Sequence, residues 1–175
     1  MNKLLVVIDM QKDFIDGILG TREAEMIVPK VISKIQGFNG EVIYTRDTHD
    51  ERYLESQEGI KLPVAHCIKD TEGWRLIEGV DELASKANSR VFNKPAFGSM
   101  EMVKYVENLY EEEKVDEVEL IGVCTDICVI SNAILLKSAM PELKIVVDSN
   151  CCAGVTPESH GNALNAMNMC QIEII

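Results

Sequence analysis

The sequence lacks any long apolar run, since no stretch approaches the roughly 18 residues that a membrane-spanning helix needs. No secretory leader is predicted either, because the first apolar run is only about six residues long, is interrupted by Asp9 and precedes no small-residue cleavage site. We therefore expect a cytoplasmic protein with no membrane partner. In the reducing cytosol its six cysteines are expected to be mostly free thiols.

Basic residues are also scarce, with 17 Lys and Arg against 29 Asp and Glu and a formal net charge of -12. Binding nucleic acid through its phosphates needs clustered basic side chains, so no nucleic-acid partner is expected. The remaining composition, 46% hydrophobic and 26% charged, is typical of a globular protein with a packed core. The sequence contains no repeat, low-complexity tract or Pro/Gly/Ser linker, which predicts a single domain over residues 1–175.

Short apolar segments rich in β-branched residues predict six strands, at residues 4–8, 41–45, 89–93, 117–121, 144–147 and 171–175. Most are continuous apolar runs, which is typical of parallel strands buried on both faces. Helical patterns lie between them, at residues 23–36, 99–113, 126–139 and 157–169. The last has Thr156 as a candidate N-cap and Pro157 at the first helical position. This alternation predicts a three-layer αβα sandwich around a mainly parallel six-stranded sheet.

Polar residues follow the predicted strands at the points where they end. In a parallel α/β sheet, ligands bind beyond the carboxyl ends of the strands. The residues expected at this edge are Asp9, Asp47, His49, Lys94, the segment 124–128 and Asp148. The sequence therefore predicts an acid, metal-ligand types, a base and a thiol at one edge of the sheet.

Three of these residues suit nucleophilic catalysis. Taken alone, Asp9 would be a turn or helix cap and Lys94 a solvated lysine, each the commoner role for its residue type. Cys128 is expected in the first turn of a helix, where the positive end of the helix dipole and a nearby lysine would favour the thiolate. A carboxylate that accepts the thiol proton and later passes it to a leaving amine would complete a nucleophile with its acid and base.

The motifs "VVIDMQKDF", "NKPAFGS" and "GVCTDICV" resemble those of the isochorismatase-like cysteine hydrolases, and among them the nicotinamidases. They occur in the family's order and at roughly its spacing, and the similarity spans nearly the whole chain. The resemblance implies that Asp9, Lys94 and Cys128 form a catalytic triad. It also implies a cis peptide between Val123 and Cys124, with the backbone amides of Cys124 and Cys128 forming an oxyanion hole. Because isochorismatases proper carry no cysteine at the nucleophile position, Cys128 favours amide hydrolysis.

The segment "RDTHDERYLESQEGIKLPVAHC" contains Asp47, His49 and His66, which carry ligand types suited to Zn, Fe or Mn. Without context, surface polar residues would explain this pattern equally well. The resemblance implies that these three residues hold a divalent metal, most simply zinc, that receives the pyridine nitrogen of the substrate. Glu58 matches an additional carboxylate ligand found in some members. Thr48, between Asp47 and His49, departs from the family pattern, which has Trp before the His.

Phe14 and Phe97 each lie a few residues from a triad member and are candidates to sandwich a flat substrate ring, although core packing would also explain either one. The sequence thus predicts an amidohydrolase that converts nicotinamide to nicotinate through a Cys128 thioester. Another small amide or carbamoyl compound is the alternative substrate. A thiol redox or metal-binding protein that uses Cys124 and Cys128 together is a further alternative, as is a non-catalytic scaffold. Self-association into a homo-oligomer is also expected from the resemblance.

Overall fold

A computed structural model describes residues 2–175 of the chain. These residues contain one six-stranded sheet in which every strand pair is parallel. The strands are β1 (Lys3–Ile8), β2 (Glu41–Asp47), β3 (Val91–Lys94), β4 (Glu117–Val123), β5 (Lys144–Ala153) and β6 (Glu173–Ile174). Their order across the sheet is β3-β2-β1-β4-β5-β6. The predicted α/β fold with a six-stranded sheet is confirmed, and the sheet is entirely rather than mainly parallel.

The helices of the described residues are α1 (Lys12–Ile15), α2 (Arg22–Gly37), α3 (Gln57–Lys61), α4 (Glu78–Lys86), α5 (Met100–Glu111), α6 (Ile130–Ala139) and α7 (Pro157–Met169). A short 3₁₀ turn spans Tyr53–Glu55, and a π-helical turn over Thr125–Val129 leads into α6. The four predicted helices are present. The sequence patterns missed the short helices α1 and α3, and also α4, in which only Val80 and Ala84 are buried, because so few apolar positions give too weak a periodicity.

Residues on β1 show how the sheet supports a helical layer on each side. Leu4, Val6 and Ile8 point into a core shared with α5, α6 and α7. Leu5 and Val7 point into a second core shared with α2 and α4. Successive side chains of a strand face opposite sides, so a continuous apolar strand supplies both cores. This explains why the predicted strands lack an alternating pattern.

The middle of the sheet brings the backbone into close contact where β4 ends. Gly122 has a φ of 118°, and a Cβ atom there would lie 2.1 Å from the carbonyl oxygen of Ile8. Only glycine fits such an approach. The next peptide, Val123–Cys124, is cis, as the resemblance implied. Over residues 2–175, no helix has both the length and the apolar character needed to cross a membrane.

Candidate active site

Asp9, Lys94 and Cys128 meet at the carboxyl edge of the sheet. Asp9 directly follows β1, Lys94 is the last residue of β3, and Cys128 lies in the π-helical turn after β4. The Lys94 Nζ atom lies 2.7 Å from Asp9 Oδ2 and 3.4 Å from Cys128 Sγ. All three residues are at least 95% buried. The fold therefore brings the predicted acid, base and thiol into direct contact.

The Asp9 carboxylate is held by one oxygen and leaves the other without a hydrogen bond. The Thr45 hydroxyl donates to Asp9 Oδ1 at 2.6 Å and accepts from the Asp9 amide at 3.3 Å. Asp9 Oδ2 lies close to the Lys94 ammonium group but makes no hydrogen bond of ordinary geometry with the described residues. Its ion pair with Lys94 at 2.7 Å offsets the cost of burying this charge. Because no hydrogen bond from the described residues occupies this oxygen, it can accept a proton.

The charge states in this cluster are governed first by burial. Burial raises the pKa of the Cys128 thiol well above its ordinary value, the Asp9 charge adds to the effect, and Lys94 only partly opposes it. Burial also raises the pKa of Asp9 against the attraction of Lys94. For Lys94, burial disfavours the ammonium form, but Asp9 and Cys128 outweigh it and raise its pKa. Lys94 thus acts on the Cys128 thiol in the expected direction, but burial has the larger effect.

The turn that carries Cys128 is π-helical, so the predicted start of a regular α-helix near Asp126 is replaced by a wider turn. The Cys124 carbonyl accepts hydrogen bonds from the amides of Ile127 and Val129, on either side of Cys128. Amides in the first turn of a helix have no carbonyl partner within the helix. The Cys128 amide therefore lies in the first turn, where a donor is available to a substrate oxygen. The Asp126 carboxylate, in the same turn, accepts a hydrogen bond from the Val155 amide.

A second cluster at the same edge contains the predicted metal ligands Asp47, His49, Glu58 and His66. One ligand atom from each residue lies within 4.8 Å of all the others. The His49 Nε2 atom is 2.9 Å from Asp47 Oδ2 and 3.8 Å from Glu58 Oε1, and His66 Nε2 is 3.7 Å from Asp47 Oδ2. Two imidazoles and two carboxylates form a donor set that suits zinc or a similar divalent ion. This is a possible metal site, and it includes Glu58.

Contacts around this cluster orient His66 and favour the ionised form of Asp47. His66 donates from Nδ1 to the Val64 carbonyl at 2.8 Å, which turns its Nε2 atom toward Asp47. Burial opposes ionisation of Asp47, but the hydrogen bond with His49 and the nearby His66 ring and Lys94 charge outweigh it and hold the pKa of Asp47 well below its usual range. Asp47 Oδ1 also lies 3.3 Å from Lys94 Nζ. Asp47 thus connects the possible metal site with the triad.

Aromatic rings surround the two histidines. The Phe14 ring centroid is 5.5 Å from that of His66, and the Tyr53 ring is 4.6 Å from His49 and 4.9 Å from His66. Phe97 lies in the loop after Lys94 and is 45% exposed. Phe14 therefore lies beside the histidines. Phe97 instead contacts α6, where its backbone carbonyl accepts a hydrogen bond from the Asn132 side chain. Tyr53 was missed by the sequence patterns, although it lies only four residues after His49.

Gln11 is another residue that the sequence patterns missed. Its side chain accepts from the Asp47 amide at 2.7 Å and donates to the Asp47 and Trp74 carbonyls at 2.9 and 2.8 Å. It is fully buried and therefore fixes the backbone of a candidate ligand. Its position two residues after Asp9 could have indicated this role, because an uncharged polar residue in a buried motif needs hydrogen-bond partners.

A parallel α/β sheet with a Cys–Lys–Asp cluster and an adjoining His/carboxylate ligand set at its carboxyl edge defines the class of the protein. Residues 3–175 match the sequence model of the isochorismatase domain, and the chain belongs to this family. A Bacillus subtilis relative, described as an uncharacterised isochorismatase family protein, PncA, is 32% identical over 178 residues. That alignment covers 94% of this chain and 93% of the relative.

Solved structures agree with this assignment. The crystal structure of the nicotinamidase PncA from Bacillus subtilis superimposes with a TM-score of 0.84 and 28% identity, and the match covers 99% of each chain. The pyrazinamidase of Pyrococcus horikoshii, solved in complex with zinc, has a TM-score of 0.83 and 25% identity, with 100% of this chain and 99% of that chain covered.

Proposed function

We propose that this protein is a cysteine amidohydrolase that converts nicotinamide to nicotinate and ammonia. One observation carries the proposal: the buried Lys94 ammonium group touches both the Asp9 carboxylate and the Cys128 thiol, at 2.7 and 3.4 Å. The similarity to the Bacillus subtilis nicotinamidase, which extends over the whole chain, supports the choice of substrate.

The reaction begins with a proton transfer from the Cys128 thiol to Asp9. Burial disfavours ionisation of the thiol alone, because that would add a charge to the buried cluster. Transfer to Asp9 creates the thiolate while it neutralises the carboxylate, so the total charge is unchanged. The Oδ2 atom of Asp9 is the oxygen suited to receive the proton, because Oδ1 already accepts a hydrogen bond from Thr45. The positive charge of Lys94 then lies beside the new thiolate.

The thiolate attacks the carboxamide carbon, forms a C–S bond and moves the carbonyl electron pair onto oxygen. The backbone amides of Cys124 and Cys128 stabilise this oxyanion, and losing one such donor typically costs about 3 kcal/mol. Asp9 returns its proton to the nitrogen as the C–N bond breaks and ammonia leaves. Water, deprotonated by Asp9, then attacks the thioester, and the C–S bond breaks to give the acid. The Asp9 proton restores the thiol.

Asp47, His49 and His66, with Glu58, would hold a divalent metal, for which zinc is the first choice and iron or manganese the alternatives. Their fit rests on the convergence of four donor atoms within 4.8 Å and on the ionised Asp47. When bound, such an ion would offer a coordination position to the pyridine nitrogen of the substrate. Phe14 and Phe97 are proposed to contact the faces of the ring.

Ammonia release from a panel of nicotinamide, benzamide and a small carbamoyl compound tests this function. We expect turnover of nicotinamide and little turnover of benzamide, which lacks the ring nitrogen. Treatment with a chelator should lower nicotinamide turnover, and added zinc should restore it. If benzamide is hydrolysed as fast as nicotinamide, the ring nitrogen has no role. If only the carbamoyl compound reacts, the alternative substrate class replaces nicotinamide.

Replacing either cysteine separates amide hydrolysis from a thiol redox function. Cys128→Ala should release no measurable ammonia, whereas Cys124→Ala should remain active because its proposed contribution is a backbone amide. Comparable loss in both variants would favour the redox alternative. Full activity in Cys128→Ala would contradict the thioester mechanism.

A further inference from the structure

Asn132 is a fully buried polar residue on α6, one turn after Cys128. Its Nδ2 atom donates to the Cys128 carbonyl at 2.8 Å and to the Phe97 carbonyl at 3.1 Å. Its Oδ1 atom accepts from the Ser99 amide at 2.9 Å. One side chain therefore joins the backbone of the candidate nucleophile to residues 97–99.

Residues 95–99 are the loop that connects Lys94 to α5, and this loop also touches the Lys94 side chain. Lys94 Nζ donates to the Ala96 carbonyl at 3.1 Å and lies 3.4 Å from Cys128 Sγ. The loop is therefore linked to Cys128 in two ways. Asn132 connects it to the Cys128 carbonyl, and Lys94 connects it to the Cys128 thiol.

We propose that Asn132 is a positioning residue that sets the distance between the Lys94 ammonium group and the Cys128 thiol. It does so by holding the 95–99 loop against the turn that carries Cys128. Asn132 itself touches neither reacting atom, so it acts through its neighbours. The inference rests on the proposed function for the reaction, but the coupling between Asn132 and Lys94 does not depend on the substrate.

The chemistry of an amide side chain explains why asparagine suits this position. A single side-chain amide supplies two donors and an acceptor. Here Cys128 accepts from it, and the 97–99 loop both accepts from it and donates to it. A hydroxyl would serve the contact within the helix alone, as the adjacent Ser131 demonstrates by donating to the Ile127 carbonyl, four residues back, at 2.6 Å. The two contacts with the loop are the ones that a smaller residue would lose.

Asn132→Ser tests the proposal, since it keeps a hydroxyl for the Cys128 carbonyl and removes the bonds to residues 97–99. We expect kcat, per folded enzyme, to fall about tenfold, because small misplacements of reacting groups are costly. Ser131→Ala is the matched control, because it removes a hydrogen bond from the same helical turn without touching the loop. Its kcat should stay within about twofold of wild type, as for a site independent of the reacting groups. An unchanged kcat in folded Asn132→Ser would overturn the proposal.

A double-mutant cycle with Lys94→Gln distinguishes positioning from a general loss of stability. The readout is the rate at which iodoacetamide alkylates Cys128, located by mass spectrometry. Asn132→Ser should change this rate by at least about threefold in the wild-type background and hardly at all with Lys94→Gln, because interacting sites are non-additive. An equal factor in both backgrounds would overturn the proposal.

The alkylation rate needs no substrate, so it still tests Asn132 if the wild-type protein fails to hydrolyse nicotinamide. Melting temperatures establish that each variant is folded under the assay conditions. If Asn132→Ser unfolds, Asn132→Thr enters the same cycle, because it also retains one hydroxyl and loses the bonds to the loop.

Discussion

Two clusters in this protein have nearly the same composition and very different surroundings. Each contains a lysine, two carboxylates and a cysteine. The Lys94 cluster consists of Lys94, Asp9, Asp47 and Cys128. The Lys34 cluster consists of Lys34, Glu119, Asp148 and Cys151. Residue types alone would not tell which of them is suited to catalysis.

The two lysines differ in solvent exposure and in the hydrogen bonds made by their carboxylate partners. Lys34 reaches from α2, has 27% of its side chain exposed, and lies 2.7 Å from Glu119 and 2.8 Å from Asp148. The Lys94 side chain is fully buried and faces an Asp9 oxygen that has no hydrogen bond of ordinary geometry. Both clusters contain close ion pairs, but only the Lys94 cluster is sealed from solvent and holds its lysine 3.4 Å from a thiol.

The cysteines differ in what the fold places around them. Cys151 lies within β5, where burial and the Asp148 charge raise its pKa to about 11. Cys128 lies in a helical turn beyond a strand end, next to Lys94 and close to the possible metal site. The comparison teaches that convergence of buried groups at the carboxyl edge marks the candidate site better than charge composition does.

The cysteines should give the largest contrast. Cys128→Ala is expected to lower kcat/KM for nicotinamide by about a thousandfold or more, because it removes the attacking atom. Cys151→Ala should stay within about twofold of wild type, the effect expected of a site away from the reacting groups. Ammonia release measured on both purified variants makes the comparison. Similar losses in the two would contradict the distinction between the clusters.

The lysines should give the next contrast. Lys94→Gln is expected to lower kcat about a hundredfold or more, because the thiolate and the transition state lose a buried positive charge. Lys34→Gln should leave kcat nearly unchanged and lower the free energy of unfolding by about 2 kcal/mol through lost hydrogen bonds to charged groups. Kinetics and urea unfolding of each variant would measure this. A large fall in kcat for Lys34→Gln would link that cluster to the reaction.

The smallest effect is expected from Asp148 and depends on pH. Burial opposes its ionisation, but the hydrogen bond and charge of Lys34 outweigh it and hold the pKa of Asp148 below its ordinary value. A carboxyl with a lowered folded-state pKa stabilises above its ordinary pKa and loses that contribution as pH falls through the folded value. Asp148→Asn should therefore cost about 1 kcal/mol near pH 6.

This difference between wild type and Asp148→Asn should shrink below about pH 4, where the ordinary carboxyl begins to protonate. Urea unfolding at several pH values gives the measurement, and Glu142→Gln on an exposed loop is a suitable control. A difference that stays constant down to pH 3 would show that the ion pair with Lys34 contributes nothing.

Local patterns in the sequence predicted most of the fold. Continuous apolar segments predicted the six strands, and Thr156 with Pro157 predicted the start of α7. The rule that ligands bind beyond strand ends selected Asp9, Asp47, Lys94 and Cys128 before their contacts were known, but its selection of Asp148 was wrong, because β5 continues to Ala153 and Asp148 pairs with Lys34. These signals are local, because strand burial, helix capping and strand ends depend on neighbouring residues.

The sequence by itself determined the order of the strands and main helices along the chain, the edge of the sheet at which polar residues gather, and the motifs of the isochorismatase family. Tertiary structure decided which neighbours act on each group. The raised pKa of Cys128, the ion pair of Asp9 with Lys94 and the bonds of Asn132 to the 97–99 loop all depend on contacts between residues far apart in the chain. Burial and hydrogen-bond geometry arise only once those segments pack together, so no local pattern could contain them.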